Sequence, residues 1–112
     1  MDEVTEKWID RIRAMAPRLE NAEKEVFVAD ADLKRKLAKK KLEATSEGCR
    51  TVSAQEVYAE DSDDVYQARL HIATTKGILM GLKVELKALE VGFEEWRTKM
   101  VNSREERKRY GA

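Results

Sequence analysis

Residues 65–100 read VYQARLHIATTKGILMGLKVELKALEVGFEEWRTKM. Within them Val65, Ala68, Ile72, Thr75, Leu79, Leu82, Leu86, Leu89, Phe93, Trp96 and Met100 alternate steps of three and four for five heptads. That is the a/d repeat of a supercoiled helix seam. Asp61 or Ser62 can cap its start, and Asp63 and Asp64 suit the positive end of the helix dipole. Arg104, Arg107, Lys108 and Arg109 suit the negative end before Gly111, so the spacing predicts a helix over about 62–110.

Working toward the N-terminus, the same alternation recurs in Trp8, Ile12, Met15, Leu19, Ala22, Val26, Ala29, Leu33 and Leu37. Its last step is four where three is due, so the register slips where the lysines begin. Pro17 removes a helical hydrogen bond, and could either kink one helix or divide a short leading helix from a second. The phase carried from Trp8 to Leu33 favours one kinked helix over about 3–46, with Gly48 as its stop. A connector over about 47–61 holds the turn-like composition, and Ser53 to Glu56 has capping-box spacing, which predicts a short helix over 54–60. Two long helices joined this way pack most simply as an antiparallel pair. Setting Ser46 opposite Ser62 makes partner numbers sum to about 108. Met15 then meets Phe93, Leu19 meets Leu89, Ala22 meets Leu86, Val26 meets Leu82, Ala29 meets Leu79, and Trp8 falls beside Trp96 and Met100. The expected fold is all-α: a single-domain, coiled-coil-like hairpin over 1–112 with a short connecting helix, assembling into a helical bundle.

Composition agrees. A chain of 112 residues has room for one domain and buries only about two thirds of its unfolded surface. Charged residues make up 39%, balanced at 22 basic and 22 acidic, which suits long solvated helices and removes wholesale attraction to nucleic acid or anionic lipid. Balance of this kind points to protein partners. No run of about 18 apolar residues is present, and MDEVTEKWIDR has neither the basic nor the apolar part of a secretory signal. The expectation is a cytoplasmic protein with no membrane association. Cys49, the single cysteine, cannot form an intramolecular disulfide, which fits a reducing compartment.

A hairpin leaves the far side of each seam wet. Leu70, Ala73, Gly77, Met80, Gly81, Val84, Ala88 and Val91 form a second stripe, broader than an exposed helix needs. Gly77 and Gly81 have the small-xxx-small spacing that lets backbones approach closely. Either the connector folds over this stripe or a second copy covers it. The length of the stripe favours self-association, with a dimeric four-helix bundle as the first expectation.

Two basic runs invite a nucleic-acid reading: Lys34, Arg35, Lys36, Lys39, Lys40 and Lys41, and then Arg104, Arg107, Lys108 and Arg109. The antiparallel register sets the first near Glu60, Asp61, Asp63 and Asp64, and the second near Asp2, Glu3 and Glu6, so internal neutralisation is the favoured reading. No aromatic residues interleave the lysines to stack bases. Catalytic candidates are few. His71 flanks the seam, and Cys49 lies beside Arg50 without a second cysteine or a neighbouring histidine. Glu94, Glu95 and the other carboxylates lie as solvated positions do, and no Glu-x-x-His metal pair exists. Trp8 and Trp96 read as core anchors. No catalytic, metal or cofactor site is expected, and the chain reads as non-enzymatic.

The run Lys83-Val-Glu-Leu-Lys-Ala-Leu-Glu-Val-Gly-Phe-Glu-Glu-Trp-Arg-Thr98 is followed by Asn102-Ser-Arg-Glu105. Anchored on Glu95 to Thr98, it resembles the tail of small uncharacterised helical proteins encoded by tailed bacteriophages and prophages. Their usual place among replication and recombination genes implies an accessory role. The hairpin is also similar in size to the secreted helical hairpins of type VII systems, but their Trp-x-Gly turn is missing, the connector reading Ser46-Glu-Gly-Cys-Arg-Thr51. The expected function is a non-enzymatic, oligomeric helical scaffold for protein partners. The alternative is a nucleic-acid-binding accessory using the two basic runs.

Overall fold

A computed structural model describes residues 2–110, and these are helical almost throughout. The elements are α1 (Glu3–Ser46), α2 (Val52–Glu60) and α3 (Asp63–Arg109), with the two long helices packed against each other and the short one between them in sequence. The expected stop at Gly111 lies outside the described residues.

Each helix end has a local cause. At the start of α1 the Asp2 carboxylate accepts the Thr5 N–H at 2.8 Å, satisfying a donor that the first turn leaves free. Helix α1 then runs through Pro17 without a break. It ends where Gly48 takes φ 90°, a left-handed conformation that costs glycine nothing. The Cys49 N–H donates to the Ala44 carbonyl and the Gly48 N–H to that of Thr45, the paired bonds of a Schellman C-cap. The cap of α2 corrects the expected one. Thr51, not Ser53, is extended and accepts the Ala54 N–H at 3.1 Å, so Ser53 lies inside the first turn and the helix starts two residues early. Ser62 joins α2 to α3: its hydroxyl donates to the Ala59 carbonyl at 2.6 Å and accepts the Val65 N–H at 3.4 Å.

Contacts group the chain into two compact units, one made of α1 up to Leu19 with α3 from Gly81, the other of Glu20–Met80. In the second unit Leu33, Val65 and Ala68 form a buried cluster, against which Leu37 and Ile72 pack. Ala44 and Ala59 are fully buried there too. The Gln55 amide donates to Thr45 Oγ1 at 3.3 Å and to the Cys49 carbonyl at 3.2 Å, which holds α2 beside the last turn of α1. Among the described residues of the first unit Met15 is the one fully buried large side chain. Trp8 packs on Phe93 with ring centroids 6.2 Å apart, and Phe93 stacks on Trp96 at 6.3 Å. Trp8 and Trp96 are half-buried anchors. A Cβ on Gly92 would stand 3.0 Å from the Trp8 ring, so that glycine makes room for the indole.

Both units run antiparallel, yet the register differs from the expected one. Trp8 meets Phe93, one heptad before Met100, and Met100 itself is exposed. Arg18 pairs with Glu85 at 3.3 Å, Leu33 packs with Val65 and Ala68, and Lys40 pairs with Asp64 at 3.4 Å. Partner numbers therefore sum to about 98 to 104, and the list of facing residues drawn from 108 is displaced by roughly a heptad. In Glu20–Met80 the reason is α2: it occupies the flank of the last turn of α1, so α3 begins opposite Lys40 instead of Ser46. In the other unit the indole of Trp8 lies against Gly92, where a side chain would meet it.

Candidate interaction surface

A helix in a two-helix layer has only its seam covered. On α3 the opposite face carries Leu70, Ala73, Gly77 and Met80 in one unit and Gly81, Val84, Ala88 and Val91 in the other, and all eight are exposed. Met80 is 68% exposed and Val84 64%. Helix α2 does not cover this face, so the reading in which the connector folds over it does not hold. None of these eight positions carries a charge.

The glycines sharpen the point. A glycine inside a helix costs about 1 kcal/mol relative to alanine, so each one invites a reason. Gly92 has one in Trp8. A Cβ on Gly77 or Gly81 would meet nothing within 4 Å, so nothing in the chain requires them to be small. Tyr66, 56% exposed, stands four residues before Leu70 on the same face and was missed in the sequence reading, although its spacing marks it. Phe27 and Val28, 73% and 54% exposed on α1, were also missed; they follow Val26 directly, and a seam admits only one of three consecutive residues.

The basic residues divide. Lys34 pairs with Asp30 at 3.2 Å, Lys36 with Asp32 at 3.0 Å, and Lys40 with Glu43 at 3.1 Å as well as Asp64. The bond to Glu43 holds the Lys40 ammonium above its ordinary value, with Asp64 adding to it. Lys40 follows the register slip onto the seam, where its side chain is only 20% exposed. Arg35, Lys39 and Lys41 have no ion pair within 4.0 Å among the described residues. The second run corrects the expectation. Arg104, Arg107, Lys108 and Arg109 are exposed and pair with none of Asp2, Glu3 and Glu6; Glu3 pairs instead with Lys7. The heptad displacement is the cause, since it sets α3 past the start of α1.

Other polar groups serve the helix ends. Arg69 clamps both oxygens of Glu60, one contact being Nε to Oε2 at 2.8 Å, which joins α2 to α3 and holds the Glu60 carboxyl below its ordinary value. The Asp2 carboxyl is held down by the Thr5 N–H it accepts. His71 is exposed and Cys49 half-buried. Among the described residues no group of three or more His, Cys, Asp or Glu could hold a metal ion, and no helix is long and apolar enough to cross a membrane. An open groove beside Phe93 is lined by Ile12 and Val91 with Glu90 and Glu94 at its edge. No protein-family model matches this chain, and comparison with curated proteins and with solved structures finds no similar one.

Proposed function

We propose that this chain is a non-enzymatic helical scaffold that self-associates through the outer face of α3 and presents its remaining helical surface to protein partners. The observation that carries the reading is the pair Gly77 and Gly81: small where nothing in the chain needs them small, and set among exposed Leu70, Met80, Val84 and Val91. Close approach of another helix gives them a use. Association of this kind stabilises by mass action, so the melting temperature rises with protein concentration and light scattering reads a mass above 12.9 kDa. A concentration-independent melt with a monomer mass refutes it. The same proposal includes a role as a phage-encoded accessory factor in the bacterial cytoplasm, which rests on the resemblance of Lys83 to Glu105 alone.

A second reading rests on Arg104, Arg107, Lys108 and Arg109, which have no acidic partner among the described residues. Four free cations on one helix end suit phosphate contact. Their neutralisation of phosphates gives an affinity that falls steeply as salt rises. An electrophoretic shift of duplex DNA at low salt, lost on replacing the four by glutamine, separates this reading from the first.

A further inference from the structure

A helix of nine residues is shorter than the roughly 12 to 15 at which an isolated helix becomes even marginal in water. Helix α2 therefore keeps its shape through docking, and it brings little apolar surface to dock with. Among the described residues Ala59 is the one that α2 buries. Ala54, Gln55 and Tyr58 are half-buried, while Val52 and Val57, two of its three large apolar side chains, are 69% and 67% exposed.

Its fastenings are polar. The Gln55 amide donates to Thr45 Oγ1 at 3.3 Å and to the Cys49 carbonyl at 3.2 Å, and Arg69 holds both carboxylate oxygens of Glu60. The Glu60–Arg69 pair is half exposed, within reach of screening ions. We infer that α2 is a releasable strap: it comes away from the long helices and unwinds as a unit, hinged on the non-helical residues 47–51 and 61–62, while α1 and α3 stay packed. Short elements with few buried apolar contacts and exposed hydrogen bonds open locally at a free energy well below that of global unfolding. Such a strap works alike in a single chain and in an assembly.

Leu33, Val65 and Ala68, with Leu37 and Ile72 against them, all belong to α1 and α3, so their cluster does not need α2. The last turn of α1 does. Lys40 already pairs with Asp64 in the first turn of α3, so α1 beyond Lys40 has no α3 alongside it. Ala44, one turn further on, is nevertheless 0% exposed, and α2 is the element held beside it through Gln55 and Thr45. Opening the strap uncovers Ala44 and the end of α1 without disturbing the cluster.

Hydrogen exchange, followed amide by amide by NMR in the full-length chain, reads the strap directly. The amides of 55–60 should share one opening, exchange at least about a hundredfold faster than those of 29–37, and respond to urea with less than about half their slope. Gln55→Ala, which substitutes a better helix former, and Glu60→Gln should each speed exchange of 55–60 by about two- to tenfold and leave 29–37 unchanged. Added sodium chloride should speed it in the parent and not in Glu60→Gln. Exchange of 55–60 with the rate and urea slope of 29–37 overturns the strap, because α2 then opens only when the hairpin unfolds. So does protection that fades only toward the ends of α2, which is fraying, and so does exchange at the rate of an unfolded peptide, since the strap would never close. Variants and salt that leave 55–60 unchanged, or that shift both segments alike, overturn it as well.

Discussion

Helix α3 carries two apolar faces of similar length that meet different fates. The inner one, Val65 to Trp96, is covered by α1, and it contains the only fully buried large residue of the helix, Val65. The outer one, Leu70 to Val91, is exposed along its length. Both have heptad-like spacing, so periodicity alone does not tell them apart. Their glycines do: on the inner side Gly92 lies under an indole, whereas Gly77 and Gly81 lie under nothing. A small residue with a neighbour explains a contact within the chain, and a small residue without one asks for a contact outside it.

The comparison breaks most severely on the inner face. Leu33→Ala should lower folding stability by about 2 to 5 kcal/mol, because it opens a cavity against Val65 and Ala68. Urea unfolding followed by circular dichroism checks this at a concentration where the parent is monomeric, and a loss under 1 kcal/mol would show that the cluster is not the anchor of its unit. Next comes Gly92→Leu, which forces the Trp8 ring from its seat and should cost about 1 to 3 kcal/mol. Combining it with Trp8→Ala should recover part of that cost, since the clash then has no partner.

On the outer face the same chemical change should act in the opposite sense. Gly81→Leu meets no atom of its own chain, and replacing an exposed helical glycine adds up to about 1 kcal/mol to the monomer. The association should nevertheless weaken, because the added side chain separates the two helices. Light scattering and a monomer-range melt should therefore move in opposite directions. A Gly81→Leu protein that assembles normally removes the outer face from the interface.

What the sequence discloses and what it hides follow from the same periodicity. The all-helical hairpin, the Gly48 stop and both seams were legible, because three-four alternation needs no knowledge of the partner. The register was not, because sliding α3 by seven residues returns every seam position to the seam, so Trp8 fits Met100 or Phe93 equally by pattern. What selects between them is volume, the vacancy at Gly92, together with the room that α2 takes beside Thr45. The unpaired state of Arg104 to Arg109 inherits that displacement. Thr51 was hidden for a different reason: Ser53 offers the more recognisable capping box, but the chain leaving Gly48 is already extended two residues earlier. The outer face was legible as a stripe; its exposure was not, since α2 could have covered it.

The smallest effect tests whether the flank between the two faces belongs to the fold or to the assembly. Arg69 stands there, four residues after Val65 and one before Leu70, with both oxygens of Glu60 bound to it. The pair is half exposed, so its contribution is modest. Because Arg69 depresses the folded-state value of Glu60, the unfolded chain binds the proton more readily. The stabilisation is then fully present above the ordinary glutamate value and is lost as pH falls through the lowered folded one. The melting temperature should decline across that acid window more steeply in the parent than in Glu60→Gln, whose clamp carries no titrating group. The excess decline should be the same at low and high protein concentration if the clamp serves only to fasten α2 to α3. An excess that grows with concentration would mean that Arg69 is shared with a second copy, and the boundary between the covered and the open face of α3 would then lie one residue position nearer the seam.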